Sequence, residues 1–246
     1  MQVFQLSDDP LLFPNPEWAR EDGLLAVGGD LSPQRLIRAY QLGIFPWYNQ
    51  GDPILWWSPD PRCVMFPDEF HTSRRLARTL KRQPFRVTCN QAFDLVIDAC
   101  AAERLRDGQG TWLNPDMQSA YQRLHRMGFA HSIEAWIGPD LVGGLYGLAM
   151  SRFFFGESMF HRRTNASKAV LVALMRHLGQ ERFCLLDCQI PNEHLFSMGA
   201  RTISRCDFLA LLGADPADRQ AVWPKVTLPA ALDSRCEPIK HHRREH

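Results

Sequence analysis

Residues 165–190 read NASKAVLVALMRHLGQERFCLLDCQI. The first fifteen predict a strongly apolar helix with Asn165 as its N-cap, and the last nine, RFCLLDCQI, a largely apolar strand. Upstream lie three further strand-like runs, HSIEAWI (131–137), LVGGLYGLAM (141–150) and RFFFGESMF (152–160). The turn GPD joins the first two as a hairpin. Shorter helices are expected near 192–198 and 205–212. Antiparallel strands followed by helix, parallel-type strand and helix predict a mixed α/β layer architecture.

Working back toward the N-terminus, residues 72–82, 91–102 and 114–128 read as helices. The third has Asn114 as cap, Pro115 at the first helical position, Met117, Tyr121 and Leu124 on one face, and Gly128 as stop. Residues 1–62 are rich in Pro, Trp and Gly, and hold one clear helix, SPQRLIRAYQLG (32–43), capped by Ser32 and stopped by Gly43. The stretch GIFPWYNQGDPILWWSPDPR (43–62) concentrates three of the seven tryptophans. After Trp223 the apolar periodicity fades. The division expected is a small N-terminal domain over 1–62, a larger domain over 63–225 and a flexible tail over 226–246.

Composition narrows the function classes. The 246-residue chain is 45% hydrophobic and 22% charged, ordinary for a soluble globular protein. A formal net charge of +1 gives no bulk attraction to nucleic acid, so any such binding must come from local clustering. Seven cysteines without a CxxC pair argue against a disulfide framework and a zinc ribbon. The N-terminus lacks a basic segment followed by an apolar run, so no signal peptide is read, and no apolar run reaches the ~18 residues of a membrane helix. The expected compartment is the cytosol, the expected state a monomer.

Chemistry concentrates in LLDCQIPNEH (185–194). Strand alternation puts Asp187 and Gln189 on one face and Leu186 and Cys188 on the other. Asp187 is therefore either a proton-handling carboxylate beside an amide or a strand-end residue capping the next turn. Cys184, Cys188 and His194 form no closed four-ligand zinc set with any nearby partner, and no metal is expected. Glu157 reads equally as a functional or a structural buried carboxylate. A second cluster is basic: Arg74, Arg75, Arg78, Lys81 and Arg82 fall within roughly a third of a helix circumference at about 100° per residue, opposite Leu76 and Leu80. No acidic residue interrupts the run between Glu69 and Asp94, which suits a phosphate backbone.

The order of elements is similar to the N-acetyltransferase superfamily fold. Acyl-CoA-using members carry a glycine-rich turn whose N–H groups bind pyrophosphate, and the corresponding HRRTNASK (161–168) has no glycine. At the level of longer strings the chain resembles the bacterial leucyl/phenylalanyl-tRNA–protein transferases. The match runs through GLLAVGGDLSPQRLIRAYQLGIFPWY, DPILWWSPDPR, GTW, LVGGLYG, FFFGESMF, NASK and LLDCQIPNEH. The resemblance implies an α+β protein with a small N-terminal domain and an acetyltransferase-like domain. It implies transfer of Leu, Phe or Met from aminoacyl-tRNA to proteins with N-terminal Arg or Lys, marking them for degradation, without a cofactor.

Residue by residue, the resemblance assigns Asp187, Gln189, Glu157 and Asn192 to catalysis. It assigns Trp47 and Trp112 to the terminal adenosine, and Leu145, Met159, Leu171, Leu174 and Leu186 to the amino-acid pocket. Leu145 stands where the family usually has Met, and Leu113 where it has Ile; both swaps keep approximate volume. The segment RLRDGQGTW is a few residues longer than the usual loop. The expected chemistry is aminolysis of an activated ester, with Asp187 and Gln189 orienting the amine, and with Glu157 and Asp187 together selecting a basic acceptor. Leu186 can belong to the amino-acid pocket only if the strand ends or twists there, which strict alternation does not settle. Two other classes compete: an acyl-CoA N-acetyltransferase and a non-catalytic RNA-binding protein.

Overall fold

A computed structural model describes residues 2–82, 85–106 and 112–214. The expected tail over 226–246 and the end of the larger domain lie outside the described residues. Near the N-terminus, β1 (Phe4–Gln5), β2 (Leu24–Val27), β3 (Phe45–Pro46) and β4 (Leu55–Trp57) form a four-stranded sheet in the order β1-β2-β4-β3. Helix α1 (Pro33–Gln41) starts where Ser32 Oγ accepts the N–H of Arg35, and the chain leaves it through Gly43 at φ +72°. Both helix signals in the sequence are thus used as read.

The second sheet begins at β5 (Arg62–Met65) and continues with β6 (Arg86–Cys89), β7 (Ala130–Ile137), β8 (Asp140–Met150), β9 (Phe153–His161), β10 (Leu185–Gln189) and β11 (Arg201–Ile203). Its order is β11-β5-β10-β9-β8-β7-β6. β7, β8 and β9 are antiparallel neighbours, and β10 runs parallel to β9 after α5 (Ala166–Gln180). The remaining helices are α2 (Arg74–Arg82), α3 (Phe93–Arg106), α4 (Pro115–Arg126), α6 (Glu193–Ser197) and α7 (Arg205–Gly213). The α+β class and the mixed order of the larger layer are as the sequence led one to expect. One expectation fails: Asn165 does not cap α5 through its side chain but sits at φ +69°.

Two apolar layers sandwich this sheet. On one face α3, α4, α7 and the N-terminal unit pack, with Tyr40, Trp56, Tyr121, Tyr146 and Phe208 fully buried. On the other, α5 packs with α2, through Val170, Leu174, Leu178 and Leu80 among others. Strand β9 anchors both, since Phe153 and Phe155 join the first layer and Phe154 the second. Each such fully buried side chain is worth about 1.5–3 kcal/mol.

Strand β5 carries the strongest polar constraint. It lies between β11 and β10, antiparallel to both, and its first residue, Arg62, reaches Asp187 of β10 through its side chain. Arg62 Nε donates to Asp187 Oδ1 at 2.9 Å and Nη2 to Oδ2 at 2.6 Å, while Nη1 donates to the Gly43 carbonyl at 3.0 Å. The guanidinium lies over the rings of Phe208 (4.5 Å) and Phe45 (5.1 Å), so both ions are dry yet fully partnered.

Removing one partner of such a pair leaves an uncompensated buried charge. Arg62→Met is expected to cost about 3–5 kcal/mol, read as a lowered urea midpoint with an unchanged slope.

Candidate functional site

Two irregularities in neighbouring strands build the site. In the β8–β9 ladder Tyr146 faces Ser158 and Gly147 faces Gly156, so Glu157 is an extra residue on β9. In the β10–β5 ladder Asp187 faces Val64 and Gln189 faces Cys63, so Cys188 is the extra residue on β10. A bulge re-aims the side chains beside it. Gly147 permits the first bulge, because a Cβ there would lie 2.2 Å from the Phe155 carbonyl oxygen. At the second, Gln189 takes φ +63° and the Ile190 N–H turns back to the Cys188 carbonyl at 2.8 Å. The two bulges bring Glu157 and Gln189 together: Gln189 Nε2 donates to Glu157 Oε1 at 2.9 Å.

The expected Asp187–Gln189 face is therefore not formed by alternation. Leu186 and Cys188 line a cavity, Asp187 points to the opposite side, and the left-handed turn carries Gln189 back across to that cavity. Asp187 has no exposure; besides Arg62 its Oδ1 accepts the Gln189 backbone N–H at 2.9 Å. Its geometry is the strand-end capping that the sequence left open, and it pins the turn that aims Gln189. Leu186, whose place alternation left unsettled, lies in the cavity wall.

The cavity measures about 540 Å³, within the ~300–1,000 Å³ usual for small-molecule sites. Leu145, Met159, Leu171 and Leu186 form its apolar wall. Trp47, 39% exposed, and the buried Trp112 border it, and Glu157, Gln189 and Asn192 bring polar atoms to it. Asn192 also caps α6, accepting the Leu195 N–H at 2.9 Å. Leu174 is not among the lining residues: three positions beyond Leu171 on α5, it is sealed into the core. His194 is exposed and borders the cavity. The five basic residues of α2 are all exposed, with Leu80 buried beneath them.

Glu157 is a strongly perturbed carboxyl. Tyr40 Oη donates to its Oε1 at 2.6 Å, and Tyr121 Oη is hydrogen-bonded to its Oε2 at 2.8 Å. Burial pushes its carboxyl up to about 7 despite these hydrogen bonds and that from Gln189, and the charge of Asp187 adds to the rise. Burial and the neighbouring carboxyl hold both phenols well above their ordinary range, so they remain donors. Cys188 is raised well above the usual thiol range by its hydrogen bond with Cys63 and by burial, which suits no thiolate nucleophile. Sequence reasoning missed Tyr40, Tyr121 and Arg62. Tyr121 was legible as a core residue of α4, but nothing in the text joins it to residues 40 and 157.

Comparison with known proteins agrees with the strings in the sequence. A family model described as leucyl/phenylalanyl-tRNA protein transferase matches residues 64–213, and one described as the N-terminal domain of that transferase matches residues 29–60. A protein of that name from Desulfatibacillum aliphaticivorans is 53% identical over 212 residues, covering 86% of this chain and 91% of the relative. One from Pseudomonas aeruginosa is 61% identical over 187 residues, covering 76% and 82%. Among solved structures, an aminoglycoside acetyltransferase from an uncultured soil metagenomic sample aligns at TM-score 0.35 and 16% identity, over 58% of this chain and 99% of that one. L-PGS from Bacillus licheniformis aligns at TM-score 0.39 and 12% identity, over 70% and 57%. At those scores neither structure bears on function.

The raised carboxyl has a consequence for stability. Glu157 starts from an ordinary value of 4.5 and rises in the folded chain to about 7. The stability associated with its neutral form is complete below 4.5 and is lost as pH climbs through about 7, on the order of 3 kcal/mol in all. Glu157→Gln is expected to flatten that stretch of the stability–pH curve, measured by urea unfolding at a series of pH values.

Proposed function

Because the chain belongs to the leucyl/phenylalanyl-tRNA protein transferase family, we infer that it moves Leu, Phe or Met from aminoacyl-tRNA to the α-amine of proteins beginning with Arg or Lys. The new N-terminal residue then serves as a degradation signal. The observation that carries this reading is a single cavity with an apolar wall, two bordering indoles and a carboxamide–carboxyl pair. The aminoacyl side chain enters against Leu145, Met159, Leu171 and Leu186, and Trp47 and Trp112 offer faces to the terminal adenine. The protein works as a monomer in the cytosol, with residues 1–62 as the smaller of its two folded parts.

Aminolysis of an ester is already driven, so the protein has mainly to position and desolvate the reactants; alignment alone supplies on the order of 7–11 kcal/mol. The acceptor α-amine, with a reference pKa of ~7.7–8.0, is partly neutral near pH 7 and needs no strong base. Gln189 has its amide nitrogen committed to Glu157, which leaves its carbonyl oxygen to accept a proton of the incoming amine. Asp187 acts from behind, through the turn it pins. The acceptor's basic side chain finds at most one carboxyl here, Glu157, since Asp187 is already neutralised by Arg62.

The test is incubation with labelled Leu-tRNA and peptides beginning with Arg or Gly. Label is expected on the Arg peptide alone, and retention on tRNA in every tube would refute the reading. Gln189→Ala should lower that transfer about 10²-fold or more. The exposed face of α2 is placed on the tRNA backbone. Replacing Arg78 and Arg82 by Gln is expected to reduce the slope of log affinity against log salt by about one and a half, and an unchanged slope would remove this helix from the interface.

A further inference from the structure

Three oxygen–oxygen contacts close a ring in the floor of the cavity. Tyr40 Oη lies 2.6 Å from Glu157 Oε1, Tyr121 Oη lies 2.8 Å from Glu157 Oε2, and the two phenol oxygens lie 2.6 Å from each other. Each contact is short enough to require a proton between its oxygens. Two phenols supply two. An ionised Glu157 would leave one contact with lone pairs opposed and no proton between them, in a site where Tyr40 and Tyr121 are fully buried.

We propose that Glu157 rests as a neutral carboxylic acid whose proton is the third member of this ring, and that Tyr40 and Tyr121 are positioning residues acting through it on Gln189. The direction of the ring follows from the fourth contact. Glu157 Oε1 already accepts from Tyr40 and from Gln189 Nε2, so it is the carbonyl oxygen. Oε2 then carries the proton and donates to Tyr121, Tyr121 donates to Tyr40, and Tyr40 donates to Oε1. This makes the cavity floor uncharged at rest and fixes which end of the Gln189 amide faces the reactants. The proposal rests on the transferase reading for its use, but not for its test.

The charged and titratable neighbours are few. Asp187 of β10 faces Arg62 of β5, Tyr146 of β8 packs edge-on to Tyr121, and Cys188 and His194 border the cavity. The rise of the Glu157 carboxyl to about 7 is in the same sense.

Opening the ring distinguishes it from simple donation. If the phenols only donated to a carboxylate, Tyr40→Phe would remove a bond from the charged form and raise the Glu157 midpoint. In the closed ring, Tyr40→Phe leaves one oxygen–oxygen contact and one phenolic proton, a balance that the ionised acid satisfies, so the midpoint falls. The measurement is the infrared spectrum of the whole protein against pH, minus that of Glu157→Gln. A neutral-acid carbonyl band that disappears through about 7 is expected. It should titrate at lower pH in Tyr40→Phe and, as an independent opening of the same ring, in Tyr121→Phe. Absence of the band, or a midpoint that stays or rises in either variant, overturns the proposal. Transfer to the Arg peptide plays no part in this readout, so its failure and that of the assigned activity are separable.

Discussion

The ion pair between Arg62 and Asp187 is the constraint on which the site depends. It joins the first strand of the large sheet to the strand that ends in Gln189, and its guanidinium also holds the carbonyl of Gly43, at the exit from α1. The same carboxylate accepts the backbone N–H of Gln189. One buried charge pair thus fixes the sheet's register, the seating of the N-terminal unit and the turn that aims the amide. A pair of hydrophobic residues could hold two strands together, but would supply no acceptor for that turn.

Much of the fold was legible because its elements carry their own punctuation. Ser32, Asn114, Gly43 and Gly128 mark helix ends by local chemistry, and the runs at 131–160 announce themselves as strands. What was not legible was non-local. β5 is four residues long, and its arginine reads as a surface residue until β10 is laid beside it 125 positions later. The Asn165 signal misled because the chain enters α5 through a left-handed residue, leaving the side chain no path to the first turn.

The site failed the alternation rule where the rule is least secure. A period of two assumes an unbroken ladder, and both strands that bear polar site residues break theirs. Glu157 owes its place to one extra residue in β9, Gln189 to another in β10. Several residues that border the cavity were readable from family-like strings, while their sidedness was not. Asp187 and Gln189 are joined by a hydrogen bond to the backbone rather than by sharing a face.

The order of strands has a consequence for how the chain is made. β5 leaves the ribosome early, yet both of its partners, β10 and β11, lie more than a hundred residues further along. Until they emerge, the strand has no neighbour on either side, and Arg62 has neither its counter-ion nor its cover. The cavity is consequently completed only at the last stage of synthesis: a nascent chain halted before residue 185 has its tyrosines, Glu157, both indoles and Leu145, Met159 and Leu171, but lacks Leu186, Gln189 and Asn192. A chain truncated there keeps β5 and β9 with open strand edges, which are templates for pairing with other chains.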